Sequence, residues 1–140
     1  MRIEDHSLSH RDMISLCSYR DNGTIDDLNR LVSKGVSIES AGAGNHTALM
    51  YACLNRESAF VEEMVKLGAQ TSKLDAEGHS AYYYAIMSDI EPVQKVSLLI
   101  AIGANMKEEI NWNHVPKQNR QELKELHESF VKENDHKPKM

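Results

Sequence analysis

The chain has 140 residues, 41% of them apolar and 26% charged, and a net charge of −5 at pH 7. That length builds about one domain and leaves no room for a second full one, so a single domain over residues 1–140 is expected. No apolar run approaches the roughly 18 residues that cross a bilayer, and no cluster of Lys and Arg could neutralise phosphates, so neither a membrane span nor nucleic-acid binding is expected.

The opening "MRIEDHSLSHRD" lacks the hydrophobic core of a secretory signal. Cys17 and Cys53 form no Cys-x-x-Cys pair, and packed thiols in a reducing, cytoplasmic compartment are expected. The first helical stretch covers Ile14 to Arg20. A second starts after Thr24, an N-cap with Asp27 three residues on as its capping-box partner, and stops at Gly35 behind the apolar pair Leu31-Val32.

The next elements repeat that plan. A short helix is expected at about 48 to 55, then a turn, then a second helix at about 58 to 67 with Ser58 as N-cap. Gly68 ends it behind Met64-Val65, and about eleven residues lead to "SAYYYAI", residues 80 to 86. Another helix follows the turn "MSDIEPVQ", residues 87 to 94, and stops at Gly103 behind Leu99-Ile100. The three glycines are spaced by 33 and 35 residues, so the tyrosine run is one copy of a repeated helix. A fixed period of this length marks an array whose units bury their apolar faces only against one another. Past Val115-Pro116, "KQNRQELKELHESFVKEN" places Leu123, Leu126 and Phe130 on one face of a longer helix, the polar end cap that an array needs.

Thr47, Leu49, Ala52, Val61, Met64, Val65, Gly68 and Ala69 match, without a gap, the pattern Thr-Pro-Leu-His-x-Ala-Ala followed by Val-x-x-Leu-Leu-x-x-Gly-Ala; Asp75 and Gly78 fit the Asp-x-x-Gly that opens a further unit. Leu16, Gly23, Leu28, Leu31, Val32 and Gly35 match more loosely in a first unit, and Ser80, Tyr82, Ala85, Val96, Leu99, Ile100, Gly103 and Ala104 in a third. The chain thus resembles the ankyrin repeat family. The resemblance implies an all-α, ankyrin-like helical repeat solenoid with repeats at 10–42, 43–75 and 76–110, a capping helix at 111–134 and a frayed tail at 135–140. It also implies a module that grips a protein partner with its loop tips and the concave face of its first helices.

Departures from the pattern carry expectations too. The bracing histidine of the family is replaced by Cys17, Met50 and Tyr83, and its helix-starting proline by Ser15, Ala48 and Ala81, so a less rigid array is expected. Two extra residues in the third unit fall in the turn 87–94, as a simple bulge or as a functional protrusion.

His46, His79 and His114 occupy equivalent positions before each first helix and should form a row along the loop edge, contacting a partner or simply solvated. Neighbouring units stand roughly 10 Å apart, so three imidazoles cannot share one ion, and no third ligand is evident for a pair. No metal and no other cofactor is therefore expected. Tyr82 should be core, Tyr83 should fill the missing histidine's slot, and Tyr84 should face outward beside Tyr51 as a contact or as cover for the helices. Trp112 is either an interface anchor or the residue that seats the terminal helix. Met13, Asn55, Glu77 and Met87 complete the candidate partner-contacting set, although the methionines at 13, 50, 64, 87 and 106 fall mostly at core or semi-core slots. Neither a phosphate loop, a His-Glu-x-x-His, nor a Cys with His and acid partners appears, so no catalysis is expected.

The charge is uneven, with residues 1–35 summing to −1, 36–105 to −4 and 106–140 to zero, which slightly favours a basic partner for the middle of the chain. These features point to a monomer or weak homo-oligomer that binds and masks a partner, as an inhibitor or immunity factor does. A self-associating structural or adaptor protein, and then a metal or small-molecule sensor, are the alternatives.

Overall fold

The computed structural model describes residues 9–19, 23–103 and 109–135, with 132–135 as backbone. Seven α-helices occur among them: α1 (His10–Ser18), α2 (Ile25–Ser33), α3 (Ala48–Asn55), α4 (Ser58–Lys66), α5 (Ala81–Met87), α6 (Pro92–Ala101) and α7 (Arg120–Asp135). The only β pairing described is an isolated antiparallel bridge between Ala41 and Thr47. Ala104, Met106 and the tail beyond 135 lie outside the described residues.

Helices α1, α3 and α5 stack side by side as an inner row, with α2, α4 and α6 packed behind them and α7 against α6. The stack is possible because each inner helix is short and nearly apolar on two sides. Ala48, Leu49, Met50, Ala52 and Cys53 of α3 are all buried, as are Ala81, Tyr82, Ala85 and Ile86 of α5. From the outer row, Leu28, Leu31, Phe60, Val61, Met64, Val96 and Leu99 close the same core.

The expected helix stops are present and have a backbone cause. Gly35, Gly68 and Gly103 sit at φ 93°, 99° and 79°, a conformation that costs an L-residue with a Cβ. Behind the first two, the N–H of Val36 donates to Leu31 O and that of Gly35 to Val32 O, and Ala69 and Gly68 repeat the pattern on Met64 and Val65, all at 3.0 Å. This paired closure satisfies carbonyls that a helix end would otherwise leave open.

Thr24 caps α2 with Asp27 as its reciprocal partner, as read from the sequence. Ser58 does not cap α4. It is the first helical residue, Glu57 precedes it without a side-chain cap, and the Ser58 N–H and hydroxyl donate at 2.8 and 3.0 Å to the Glu91 carboxylate of the next unit. Those bonds hold the Glu91 carboxyl below the usual range. The enlarged turn 87–94 is thus a tied bulge: Glu91 adopts left-handed geometry at φ 46° to reach α4, and Ser88 Oγ donates to Leu54 O at 2.8 Å.

Nor does the loss of the histidine brace leave the units unbraced. The buried Arg56 guanidinium donates to Leu16 O at 2.7 Å and Gly23 O at 2.8 Å, both in the first unit, while lying 4.0 Å above the Phe60 ring. Lys95 repeats the device one unit on, its ammonium donating to Cys53 O at 2.6 Å, Arg56 O at 2.8 Å and Ser88 Oγ at 2.9 Å. A cation at a helix C-terminus meets open carbonyls and the negative end of the helix dipole. Sequence reasoning missed both, because a Lys or Arg near a turn reads as solvated unless its neighbours are known.

The segment 111–119 is not helical as expected but forms two 3-10 turns, Trp112–His114 and Lys117–Asn119, with Pro116 between them. Proline disfavours helical geometry in the residue before it, which delays α7 to Arg120. Val115 and Leu123 are buried, and Leu126 and Phe130 pack at the margin of the same core.

Candidate functional site

The loop before α3 sets the first half of the site. Ala41 pairs with Thr47, and Gly44 and Asn45 turn through left-handed angles of φ 68° and 60°, which reverses the chain and aims His46 at the next unit. His46 Nδ1 lies 2.7 Å from Ala43 O, so that nitrogen carries a proton. The loop before α5 supplies the other half. Asp75 Oδ1 accepts the N–H groups of Glu77 and His79, each at 2.9 Å, and Gly78, at φ 85°, completes the turn. Ala76 N–H donates to Gly44 O at 2.8 Å and ties the two loops together.

Side chains then meet across that junction. The second oxygen of Asp75, Oδ2, accepts the Tyr84 hydroxyl proton and lies 3.2 Å from His46 Nε2, which is 3.0 Å from the same hydroxyl. Burial pushes the Asp75 carboxyl up, but the bonds from Tyr84, His79 and Glu77 and the charge of His46 outweigh it and hold the carboxyl below the usual range. Burial and the neighbouring carboxylate push the Tyr84 phenol up, so it keeps its proton.

Around this node the rings form one continuous, half-exposed cluster. His46 packs at 5.9 Å from Tyr51 and 5.8 Å from Tyr84; Tyr84 stands edge-on to Tyr83 at 5.2 Å and to His79 at 6.2 Å; His79 and Tyr83 stack at 3.6 Å, 9° from parallel. The glutamate at 77 is exposed on the loop tip, and the oxygen and nitrogen donors of His46, Asp75 and Glu77 all lie within 4.8 Å of one another.

Of the ten residues expected to contact a partner, His46, Tyr51, Glu77, His79 and Tyr84 are gathered here. Tyr84, expected to face outward beside Tyr51, is half-buried like it, with its hydroxyl bound on two sides. Asn55 and Met87 are half-buried at the C-terminal ends of α3 and α5, on the same inner row. Met13 is fully buried and is corrected to core, because its slot on α1 faces the α3 stack. Trp112 is half-buried against the terminal helix, its ring centroid 5.6 Å from that of His127 on α7. The exposed His114 lies in the 3-10 turn before that helix, outside the ring cluster. Asp75 and Tyr83 were not expected among the contacts. The alternation of His and Tyr at 46, 51, 79 and 84 was the available signal for Tyr83, but only the fold shows that His79 stacks on it.

Arrays of paired helices with glycine stops and protruding loops recur in a known family of repeat proteins. The family model for ankyrin repeats, in three copies, covers residues 14–110. The chain belongs to the ankyrin repeat family. Among solved structures, the human ASB11 ankyrin repeat domain superposes with a TM-score of 0.70 at 19% identity, over 84% of this chain and 52% of that one. The ankyrin chain described here therefore spans about half the length of that relative, and the likeness at this identity is one of fold. No curated protein matches its sequence. Ankyrin repeats are protein–protein interaction modules, which agrees with a non-catalytic binding role. No described helix is long and apolar enough to cross a membrane.

Proposed function

We propose that this ankyrin chain grips a protein partner with the loop tips before α3 and α5 and with the inner face of α3 and α5, and that binding masks the partner as an inhibitor or immunity-type protein does. The observation that carries this reading is the five-ring cluster of His46, Tyr51, His79, Tyr83 and Tyr84. Amphipathic rings already held by one another lose little freedom on binding, and tyrosines in such settings supply a large share of interface energy. The net charge of −4 over residues 36–105 supports a basic surface on the partner. Cys17 and Cys53 are free and buried, with their thiols pushed up to about 12 by burial, which supports a reducing, cytoplasmic setting.

The test begins with a pull-down and mass spectrometry from the native host, followed by affinities of the recovered partner. Tyr51→Ala with Asn55→Ala is expected to weaken the complex by about 2 kcal/mol or more while leaving melting nearly unchanged. The exposed Glu62→Ala on α4 serves as the control. A partner that ignores the first pair and is lost on the α4 change binds the outer face, and the reading fails.

A further inference from the structure

We propose that His46 Nε2, Asp75 Oδ2 and a Glu77 carboxylate oxygen form a three-ligand site for a zinc-class divalent transition-metal ion, with a fourth position open to water or to a group of the bound partner. The sequence offered no third ligand for the histidine row. Folding supplies two, because the loop before α5 is hydrogen-bonded onto the loop that carries His46.

Orientation is the first argument. His46 Nδ1 must donate to Ala43 O at 2.7 Å, and the Tyr84 hydroxyl proton is directed at Asp75. Nε2 then faces the Asp75 carboxylate oxygen at 3.2 Å. Ligand spacing is the second argument. A tetrahedral ion with bonds of about 2.0 Å holds its ligand atoms roughly 3.3 Å apart, close to the spacing of this pair. Glu77, within 4.8 Å of both and exposed, has a free side chain with which to close the third corner.

The surroundings have the form that orients metal ligands. A histidine ligand donates its other N–H to a carbonyl or carboxylate, as His46 does to Ala43 O, and ligating carboxylates are themselves hydrogen-bonded, as Asp75 is by two N–H groups and Tyr84. The Asp75 side chain is wholly enclosed and that of His46 is 30% exposed, so the ion would sit at the surface with two rigid ligands and one adaptable one. One imidazole and two carboxylates suit zinc and its transition-metal neighbours; magnesium and calcium take oxygen ligands in larger number. A bound ion would staple the second and third units at the patch where the partner is proposed to sit.

The experiment titrates the full chain with zinc chloride at pH 7 in a non-coordinating buffer, by calorimetry. One ion per chain with a micromolar Kd is expected, with millimolar magnesium inert. Glu77→Ala should weaken binding by about 10-fold or more and leave the melting of the metal-free protein unchanged; His46→Gln should weaken it further, to the top of the roughly 10–100-fold range or beyond. Cobalt added in place of zinc should give the visible absorption of a four-coordinate ion, lost in both variants. No binding at 1 mM zinc, or a Kd that Glu77→Ala does not move, overturns the proposal, the second because the ion then sits on other histidines among the seven in the chain.

Discussion

Replacing Lys95 with Met removes a buried charge and three hydrogen bonds at once, two of them to helix-end carbonyls, and the loss of charge and the loss of bonds respond differently to pH. Met fills much the same volume but donates nothing. Cys53 O and Arg56 O lie at and just past the end of α3, where carbonyls have no partner within the helix, and both take their hydrogen bonds from the Lys95 ammonium. Leaving two such acceptors unmet costs roughly 2–6 kcal/mol in all. Against this, burial pushes the Lys95 ammonium down from 10.5 to about 8, so holding it charged at pH 7 costs on the order of 3 kcal/mol that Met escapes. Near neutrality the terms largely offset, and Lys95→Met should be only mildly destabilising.

Raising the pH separates them. A folded-state value below the unfolded one means that between about pH 8 and 10.5 the unfolded chain binds more protons, so the wild type gains stability as the pH rises through that window and loses it as the pH falls. A neutral lysine still has two N–H groups for the two carbonyls. The stability gap between wild type and Lys95→Met should therefore widen by about 2 kcal/mol between pH 7 and pH 9.5. Urea denaturation followed by circular dichroism at the two pH values measures it, and the difference between variants cancels the titration of every other group. A gap that stays constant or narrows would mean that the carbonyls hold the ammonium in its charged form, and would refute the reasoning.

Tyr82→Ala should cost about 3–5 kcal/mol, because Tyr82 is fully buried and its hydroxyl also meets His127 Nδ1 at 2.7 Å; thermal melting measures the loss, and a silent change would mean that the register of α5 is wrong. Gly68→Ala tests the helix stop alone, since a Cβ there would touch nothing within 4 Å, yet φ is 99°. Strain of about 1–2 kcal/mol is expected, and an unchanged melting temperature would show that the left-handed turn is not what ends α4.

The repeat itself was legible in the chain, because its signals are local. A glycine behind an apolar pair ends a helix through its own backbone freedom, and three such stops at spacings of 33 and 35 residues already imply stacked units. The bounds of α3, the Thr24 cap and the core placement of Tyr82 follow from the same short-range rules. What those rules could not reach were groups whose partners lie a whole unit away. Arg56 and Lys95 each bond carbonyls of the preceding unit, and Ser58 is capped by Glu91, 33 residues on. Polar side chains read along a sequence default to solvent, and only the stack shows which of them face an open helix end. The site divides in the same way. Its histidines and tyrosines were visible as a row, whereas the approach of His46 to Asp75 and to the Tyr84 hydroxyl exists because two loops are hydrogen-bonded side by side, a contact that no single loop encodes.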